Sequence, residues 1–310
     1  MYDTIIIGGG IAGLTSGIYT ARSGLSTLIL EESTFGGQIV PADLVENYPG
    51  FDKISGFELS NRITEQNKML GVELVQAKVD KVALEGLVKL VYVGEKIFES
   101  KTVIVATGAR YKQAGFVGEN EFYGKGISYC ATCDGFFYKN REVFVIGAGN
   151  SAVHAAIYLS GIADKVNVVI RKDLFRCAKT MSDKLLSISN VKVYFNTEVV
   201  SVHGDSLINE IVFKNNKTNE IYKCKTENNF GVFVYVGNSP NTSVFKEELT
   251  LDYGGYIVSD ENCNTNVSGV FCAGDVRSKK LRQLVTASAD GAVAAMQAEK
   301  YISSFNPCRH

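Results

Sequence analysis

Two cysteines separated by two residues, Cys130 and Cys133, are the feature of this sequence best suited to chemistry, and Asp134 follows them directly. Two thiols at this spacing can close a disulfide within one helical turn and exchange it with another disulfide. Alone, the spacing also fits half of a zinc site or chance. The pair lies between two glycine-rich turns, at Gly8 and Gly147, of the kind that binds dinucleotides. This setting favours a thiol pair that receives electrons from a flavin, which receives them from a nicotinamide.

The other cysteines give no second close pair. They are scattered along the chain, at Cys177, Cys224, Cys263, Cys272 and Cys308. With only three histidines in the sequence, we do not expect a four-ligand zinc site. An odd total of seven cysteines, without an export signal, also argues against a structural disulfide framework.

Bulk composition excludes several classes of function. A formal net charge of −1 gives no electrostatic case for binding nucleic acid or an anionic membrane. No apolar stretch approaches the roughly 20 residues that span a bilayer. The first residues, Met1–Thr4, lack the basic segment of a signal peptide. We therefore expect a cytoplasmic protein of two domains, which 310 residues can supply.

The first glycine-rich turn follows a short apolar strand, Tyr2–Ile7, and precedes a helical pattern. Gly8 allows the tight turn, Gly10 lets backbone amides approach a pyrophosphate, and Gly13 allows the helix and strand to pack closely. The helix N-terminus favours the charge of the phosphates. Glu31 lies 23 residues after Gly8, where an acid can accept hydrogen bonds from a ribose diol.

The same pattern recurs after the thiol pair, with the sequence G-x-G-x-x-A at Gly147–Ala152. It lies between two predicted strands, Glu142–Ile146 and Lys165–Val169. The position 23 residues after Gly147 is Ile170, so the acid of the first copy is missing here. One such turn is weak evidence, but two in matched strand–turn–helix–strand settings predict two dinucleotide sites.

Three cations follow the second strand of this copy, at Arg171, Lys172 and Arg176. Cations at this place suit the 2′-phosphate of NADPH, whereas an acid suits NADH or FAD. The same residues could instead be ordinary solvated charges. Because the acid is absent as well as the cations present, we favour the phosphate interpretation.

Two further predicted strands, Lys101–Ala106 and Gly269–Ala273, end in segments that resemble those closing over a flavin nucleotide. They lie on opposite sides of the second glycine turn. We therefore predict an α/β fold with two Rossmann-like three-layer ββα dinucleotide-binding domains, the second inserted in the first. Residues 1–114 and 241–310 form the FAD-binding domain, and residues 115–240 form the NADPH-binding domain that carries the thiol pair.

Taken together, the motifs resemble the low-molecular-weight thioredoxin reductases, class II of the pyridine nucleotide-disulfide oxidoreductases, over nearly the whole chain. The segments that carry the resemblance are Gly8–Gly13, Gly36–Gln38, Val45–Gly50, Cys130–Gly135, Gly147–Ala152, Gly231–Asn241 and Gly269–Ala292. It implies a homodimer that reduces thioredoxin. It also implies that Cys133 lies beside the flavin, that Cys130 attacks the thioredoxin disulfide and that Asp134 gives or takes the proton.

The resemblance also implies which residues bind the cofactors. For FAD they are Gly8, Gly10, Ala12, Gly13, Glu31, Gly36, Gly37, Gln38, Asn47, Val79, Ala106, Thr107, Gly108, Gly274, Asp275, Arg282, Gln283 and Leu284. For NADPH they are Gly147, Gly149, Asn150, Ser151, Ala152, Arg171, Lys172 and Arg176.

Three departures from the family pattern fall at the predicted nicotinamide site. Ile170 stands where a histidine is usual, His154 and Ala155 replace an acidic pair, and Ala148 is the middle residue of the glycine triplet. They leave ferredoxin and NADH open as electron donors, with NADPH favoured. A flavin-bearing redox sensor without turnover is a further alternative, which the retained thiols and Asp134 disfavour.

Overall fold

The structure is a computed structural model and describes residues 1–42, 44–226 and 228–305. Cys308 lies outside the described residues. The chain divides into two compact units, Met1–Arg110 with Ser239–His310, and Tyr111–Asn238. The predicted boundaries between the two domains lie slightly later in the chain, after residues 114 and 240. Residues following 110 belong to the second unit because their amides bond there; the Lys112 amide donates to the Gly237 carbonyl at 2.9 Å.

The strands of the described residues, β1 to β17 in chain order, are Tyr2–Ile7, Thr27–Glu31, Glu73–Gln76, Lys81–Ala83, Lys89–Val93, Lys96–Val105, Ala109–Tyr111, Ile127–Ser128, Glu142–Ile146, Lys165–Val169, Val191–Tyr194, Thr197–Gly204, Ile208–Asn215, Ile221–Lys225, Gly231–Val234, Asn238–Pro240 and Val270–Cys272. The helices, α1 to α6, are Ile11–Arg22, Gly56–Met69, Ala131–Asp134, Asn150–Ser160, Lys179–Leu186 and Leu284–Phe305.

The first unit is built on a sheet in the order β3-β2-β1-β6-β5-β4. Strand β6 pairs in parallel with β1 on one side. On its other side it pairs first with β5, antiparallel, and then with β17, parallel from Val103 to Val105. One long strand therefore carries both the parallel layer and the antiparallel layer. Helices α1 and α6 touch, where the Ser16 hydroxyl donates to the Gly291 carbonyl at 3.1 Å.

The second unit repeats this plan with separate sheets. Its parallel sheet has the order β11-β10-β9-β15-β8, and a three-stranded antiparallel sheet has the order β12-β13-β14. An aromatic cluster fills the space between the two sheets, with the rings of Phe144 and Phe230 5.0 Å apart. Ala152, Ala156 and other buried residues of α4 pack on the opposite face of the parallel sheet. The structure confirms the predicted α/β class with Rossmann-like units.

The local elements follow from the glycine patterns. Strands β9 and β10 have the predicted bounds. Helix α1 begins at Ile11, within the glycine-rich turn, since Gly10 is its extended N-cap residue. Within the described residues, no helix combines the length and apolar character that crossing a membrane would require.

Candidate functional site

Cys130 and Cys133 form a disulfide, with their Cα atoms 5.3 Å apart. Helix α3 begins directly after Cys130, which is its N-cap residue. The amides of Cys133 and Asp134 both donate to the Cys130 carbonyl, at 3.2 and 3.1 Å. We call residues Cys130–Asp134 the redox turn. Its disulfide can exchange with a partner disulfide once it has received two electrons.

Asp134 is the last residue of the redox turn and its carboxylate is largely shielded from solvent. Burial raises the pKa of Asp134 above its usual value, and a hydrogen bond from Ser128 acts in the opposite direction. The Ser128 hydroxyl lies 2.6 Å from Oδ2 of Asp134. Among the described residues, the Asp134 carboxylate thus bonds a hydroxyl and caps no helix amide. A pKa raised by burial is typical of carboxylates that exchange protons during a reaction.

Two hydroxyl groups from outside the redox turn bond its first amides. The Cys130 amide donates to Ser128 Oγ at 3.0 Å, and the Ala131 amide donates to the Tyr235 hydroxyl at 2.7 Å. Ser128 ends β8, and Tyr235 directly follows β15, the neighbouring strand. The sheet edge therefore positions the thiol pair. Sequence reasoning missed both residues. Ser128 was within reach as a hydroxyl two residues before Cys130, but nothing in the sequence marks Tyr235.

The surface beside the disulfide is open. Cys133 is exposed and Cys130 is half-buried. Phe136 and Phe137 are 65% and 43% exposed, rather than packed in a core, whereas Tyr138 packs edge-on against Phe233. The disulfide therefore lies next to exposed apolar side chains of the second unit.

The first glycine frame, Gly8–Gly13, makes the close approaches that its spacing predicts. A Cβ on Gly8, whose φ is +108°, would lie 2.3 Å from the Ala106 carbonyl oxygen. A Cβ on Gly13 would lie 1.8 Å from the Gly8 carbonyl oxygen. By contrast, a Cβ on Gly10 would have no described atom within 4 Å, and no described side chain caps α1 there. The frame thus leaves an open cradle at the helix N-terminus, where a pyrophosphate fits.

Glu31 lies beside this cradle at the end of β2. Its carboxylate accepts hydrogen bonds from the Gly9 amide at 2.6 Å and from the amide and hydroxyl of Ser33 at 2.9 and 3.0 Å. The Gly36 amide donates to the Gly9 carbonyl at 2.7 Å, and a Cβ on Gly37 would lie 3.1 Å from the Gly10 Cα. The carboxylate therefore holds the loop, and its remaining lone pairs can accept from a ribose.

Asp275, in the first unit, has a buried carboxylate oxygen without a hydrogen-bond partner among the described residues. This oxygen, Oδ1, lies 4.0 Å from the Lys279 ammonium. Burial raises the pKa of Asp275. An unpartnered buried carboxylate oxygen is costly, and a cofactor hydroxyl would satisfy it. Next to it, a Cβ on Gly274 would lie 2.8 Å from the Ala12 side chain, which joins this segment to the first glycine frame.

Asp290 on α6 anchors the segment that carries Asp275. One carboxylate oxygen accepts from the Gly274 amide at 3.0 Å and from Lys279 Nζ at 2.7 Å. The other accepts from Arg277 Nη1 at 2.6 Å. Sequence reasoning missed this group, because its members are spread over a loop and a helix.

The other predicted flavin residues occupy the same unit. Gln38 donates to the Ala109 carbonyl, and the Thr107 hydroxyl donates to the Asn241 carbonyl at 2.7 Å. Gly108 is in the left-handed region, with φ +67°. The remaining predicted flavin residues contact neighbours within this unit. The Asn47 side-chain amide donates to the Gln283 side chain at 3.3 Å, and the Arg282 guanidinium lies 4.0 Å from the centre of the Tyr256 ring. Val79 and Leu284 are partly buried against hydrophobic clusters.

The second glycine frame, Gly147–Ala152, has the same geometry as the first. A Cβ on Gly147, φ +147°, would lie 2.3 Å from the Tyr235 carbonyl oxygen, and Ala152 is fully buried. A Cβ on Gly149 would meet no described atom within 4 Å. The next residues, Asn150 and Ser151, begin α4 and are exposed. This open cradle also fits a pyrophosphate.

The three predicted cations lie in an exposed loop after β10, which we call the cation loop. Arg171, Lys172 and Arg176 are all exposed. The backbone of the loop is held in place, since Arg176 N donates to the Ala148 carbonyl at 2.7 Å and Asn196 N donates to the Lys172 carbonyl at 2.9 Å. The first of these bonds joins the cations to the second glycine frame.

The lone cysteines are of a different kind. Cys263 and Cys272 are buried, and burial raises their pKa values to about 12 and about 11. Cys177 and Cys224 are half-buried. Thiols with such high pKa values are poor nucleophiles. In the part of the chain that the structure describes, no cluster of three or more His, Cys, Asp or Glu residues could hold a metal.

Comparison with known proteins agrees with this geometry. Residues 2–291 match the family model described as pyridine nucleotide-disulphide oxidoreductase. The chain is 45% identical to the thioredoxin reductase of Peptoclostridium acidaminophilum, covering 98% of both chains. It is 39% identical to that of Bacillus subtilis, covering 97% of this chain and 95% of the relative.

A solved structure extends the match to three dimensions. The crystal structure of thioredoxin reductase from Streptococcus pyogenes superposes with a TM-score of 0.94 at 40% identity, covering 98% of this chain and 99% of that one. The resemblance inferred from the motifs is thereby confirmed. The chain belongs to the pyridine nucleotide-disulphide oxidoreductase family and, within it, to the low-molecular-weight thioredoxin reductases.

Proposed function

We propose that the protein is a thioredoxin-disulfide reductase that passes electrons from NADPH, through FAD and the Cys130–Cys133 disulfide, to oxidised thioredoxin. The observation that carries this proposal is the disulfide itself, which closes an open surface turn beside the half-buried carboxylate of Asp134. A disulfide of this kind in a family that uses flavin and pyridine nucleotide is suited to electron transfer rather than to stabilising the fold.

FAD would be held by the first unit, at residues 1–110 and 239–310. The open cradle at Gly10 suits its pyrophosphate, Glu31 its adenosine ribose, and the unpartnered Oδ1 of Asp275 one of its hydroxyl groups. When bound, a flavin supplies two-electron transfer from a nicotinamide to a disulfide. The chain's own part is to bind and orient the cofactor, with the Glu31 and Asp275 carboxylates as hydrogen-bond acceptors for its hydroxyl groups.

NADPH would be held by the second unit, at residues 111–238. The cradle at Gly149 suits the pyrophosphate, and the cation loop of Arg171, Lys172 and Arg176 suits the 2′-phosphate. Ile170 is buried at the position where an acid would favour NADH. These three observations favour NADPH over NADH.

Once the disulfide is reduced, the thiol chemistry falls to three residues. Cys130 loses its proton to the Asp134 carboxylate, and its thiolate attacks one sulfur of the thioredoxin disulfide. The other thioredoxin sulfur leaves as a thiolate and takes up a proton. Cys133 then attacks Cys130 in the mixed disulfide, which re-forms the Cys130–Cys133 bond and releases thioredoxin as a dithiol.

An anaerobic donor titration tests the proposal. The purified protein is expected to be yellow and to lose its flavin absorbance promptly with stoichiometric NADPH. Prompt bleaching by reduced ferredoxin but not by NADPH would overturn the donor, and equal rates with NADH would overturn the role of the cation loop. Serine at Cys130 or Cys133 is expected to abolish thioredoxin reduction with flavin content unchanged. A colourless protein would contradict the proposal as a whole.

Assembly and location complete the proposal. We expect a homodimer, from the family resemblance, and size-exclusion chromatography with light scattering measures it directly. The scattered and buried cysteines suit a reducing compartment, which supports the cytoplasm. Fractionation of cells that express the natural protein tests the location.

A further inference from the structure

One hydroxyl group bridges the two ends of the redox turn. The side chain of Ser128 accepts a hydrogen bond from the Cys130 amide at 3.0 Å and lies 2.6 Å from Oδ2 of Asp134. Ser128 is only 3% exposed. Since solvent does not compete there, the orientation of the hydroxyl is set by these neighbours.

The single proton of this hydroxyl has two possible acceptors. One is the Asp134 carboxylate at 2.6 Å, and the other is the Cys130 carbonyl at 3.3 Å. A hydroxyl–carboxylate bond of this length is charge-assisted and stronger than a bond to a neutral carbonyl. Ser128 therefore donates to Asp134 and keeps its lone pairs for the Cys130 amide.

Tyr235 bonds the same turn without touching the carboxylate. Its hydroxyl accepts from the Ala131 amide at 2.7 Å. Both hydroxyl groups thus satisfy an amide at the start of α3, but of these two described residues Ser128 alone also hydrogen-bonds the Asp134 carboxylate. Replacing each residue in turn can therefore distinguish an effect on the structure of the redox turn from an effect on the Asp134 carboxylate.

We propose that Ser128 is a positioning residue for the thiol–disulfide reaction, which holds the Asp134 carboxylate against the Cys130 end of the turn and sets the pH at which it exchanges its proton. The inference rests on the proposed function of the thiol pair. Removing the hydroxyl takes a hydrogen bond from the ionised form of Asp134. The carboxylate then holds its proton to a higher pH.

Other titratable groups face Asp134 from the elements around it. They are the two cysteines of the turn, Tyr138 from the segment after α3, Tyr235 after β15 and Tyr123 from the loop before β8. Helix α4, which packs on α3, carries two further titratable residues, His154 and Tyr158. Burial raises the pKa values of Tyr123, Tyr138 and Tyr235. These three hydroxyl groups stay neutral where a carboxylate titrates, so they do not contribute to that ionisation.

The test compares Ser128→Ala with Tyr235→Phe in the full-length, flavin-loaded protein. The readout is the pH dependence of kcat/KM for oxidised thioredoxin, and Asp134→Asn identifies the ionisation that belongs to this carboxylate. In Ser128→Ala the midpoint is expected to rise by about one pH unit, as for the loss of one hydrogen bond to a charged group. In Tyr235→Phe the rate falls but the midpoint stays at the wild-type value.

Two outcomes overturn the proposal: an unchanged midpoint in Ser128→Ala, or an equal rise in Tyr235→Phe. Ser128→Thr keeps a hydroxyl and is expected to restore the midpoint. If the alanine variant does not fold, the unaltered protein still decides the question by NMR. The Ser128 hydroxyl proton is expected to exchange slowly with solvent, and fast exchange overturns the assignment.

A second readout separates this inference from the proposed function. After chemical reduction, the rate of Cys130 alkylation by iodoacetamide is followed against pH by mass spectrometry, without thioredoxin or NADPH. The same upward shift is expected in Ser128→Ala. If wild-type protein reduces no thioredoxin, the proposed function is wrong. If the pH dependence of Cys130 alkylation is the same in Ser128→Ala as in wild type, only the proposed role of Ser128 is wrong.

Discussion

Replacing Gly10 with alanine is expected to leave the fold intact and to weaken FAD binding. The backbone at Gly10 has φ −72° and ψ −175°, an extended conformation that alanine adopts without strain. A Cβ there would meet no described atom within 4 Å. In the absence of flavin, the variant should therefore unfold at the same denaturant concentration as wild type or a slightly higher one.

The size of the loss follows from what the methyl group displaces. It occupies the open side of the N-terminus of α1, where no described side chain bonds the first amides. A hydrogen bond from such an amide to a phosphate contributes about 1.5–3 kcal/mol. Loss of one bond weakens FAD binding by roughly 10- to 100-fold, because each 1.4 kcal/mol is about a tenfold change. Titration of the flavin-free protein with FAD, followed by flavin fluorescence, measures this change.

Gly13→Ala is the matched control, since it adds the same methyl group three residues later. Its Cβ would lie 1.8 Å from the Gly8 carbonyl oxygen, so the strand and helix must move apart. Here the free energy of unfolding falls even without flavin. The reasoning fails if Gly10→Ala binds FAD as tightly as wild type, or if both variants lose stability equally.

Gly149→Ala is expected to raise the KM for NADPH roughly 10-fold or more with flavin content unchanged, since its Cβ is also unobstructed and only the second cradle is filled; steady-state kinetics measure it. Alanine at both Arg171 and Arg176 should raise the KM for NADPH roughly 10- to 100-fold and leave that for NADH unchanged, and equal effects on both nucleotides would contradict the cation loop. Lys89 is 1% exposed, and burial lowers its pKa below the ordinary value. Between these two pKa values the unfolded chain binds more protons than the folded chain, so the free energy of unfolding rises with pH in that range. Urea unfolding should therefore show the stability of wild type rising relative to Lys89→Met as pH approaches about 10.

Local patterns in the sequence were sufficient to predict the elements that surround each cradle. Strands β9 and β10 have the predicted bounds, because short apolar runs bounded by a glycine turn or by charged residues leave few alternatives. Gly8 and Gly147 have positive φ and close backbone contacts, which glycine alone tolerates. The thiol pair could also be predicted, since two cysteines with two residues between them are close enough for their sulfur atoms to form a disulfide.

The groups that tune the site were not readable in this way. Tyr235 bonds the amide of Ala131, and Asp290 gathers Arg277, Lys279 and the Gly274 amide, over long sequence separations. Nothing in the local composition marks such partners, because the sheet and the α6 packing bring them together.

The sequence by itself determined the fold class, the two dinucleotide cradles and the redox-active pair, since each depends on short-range backbone geometry and residue spacing. Only the tertiary structure decided the environment of Asp134, the unpartnered oxygen of Asp275 and the buried bonds of Lys89. Burial and hydrogen-bond partners set the protonation of a side chain, and they are properties of the folded chain.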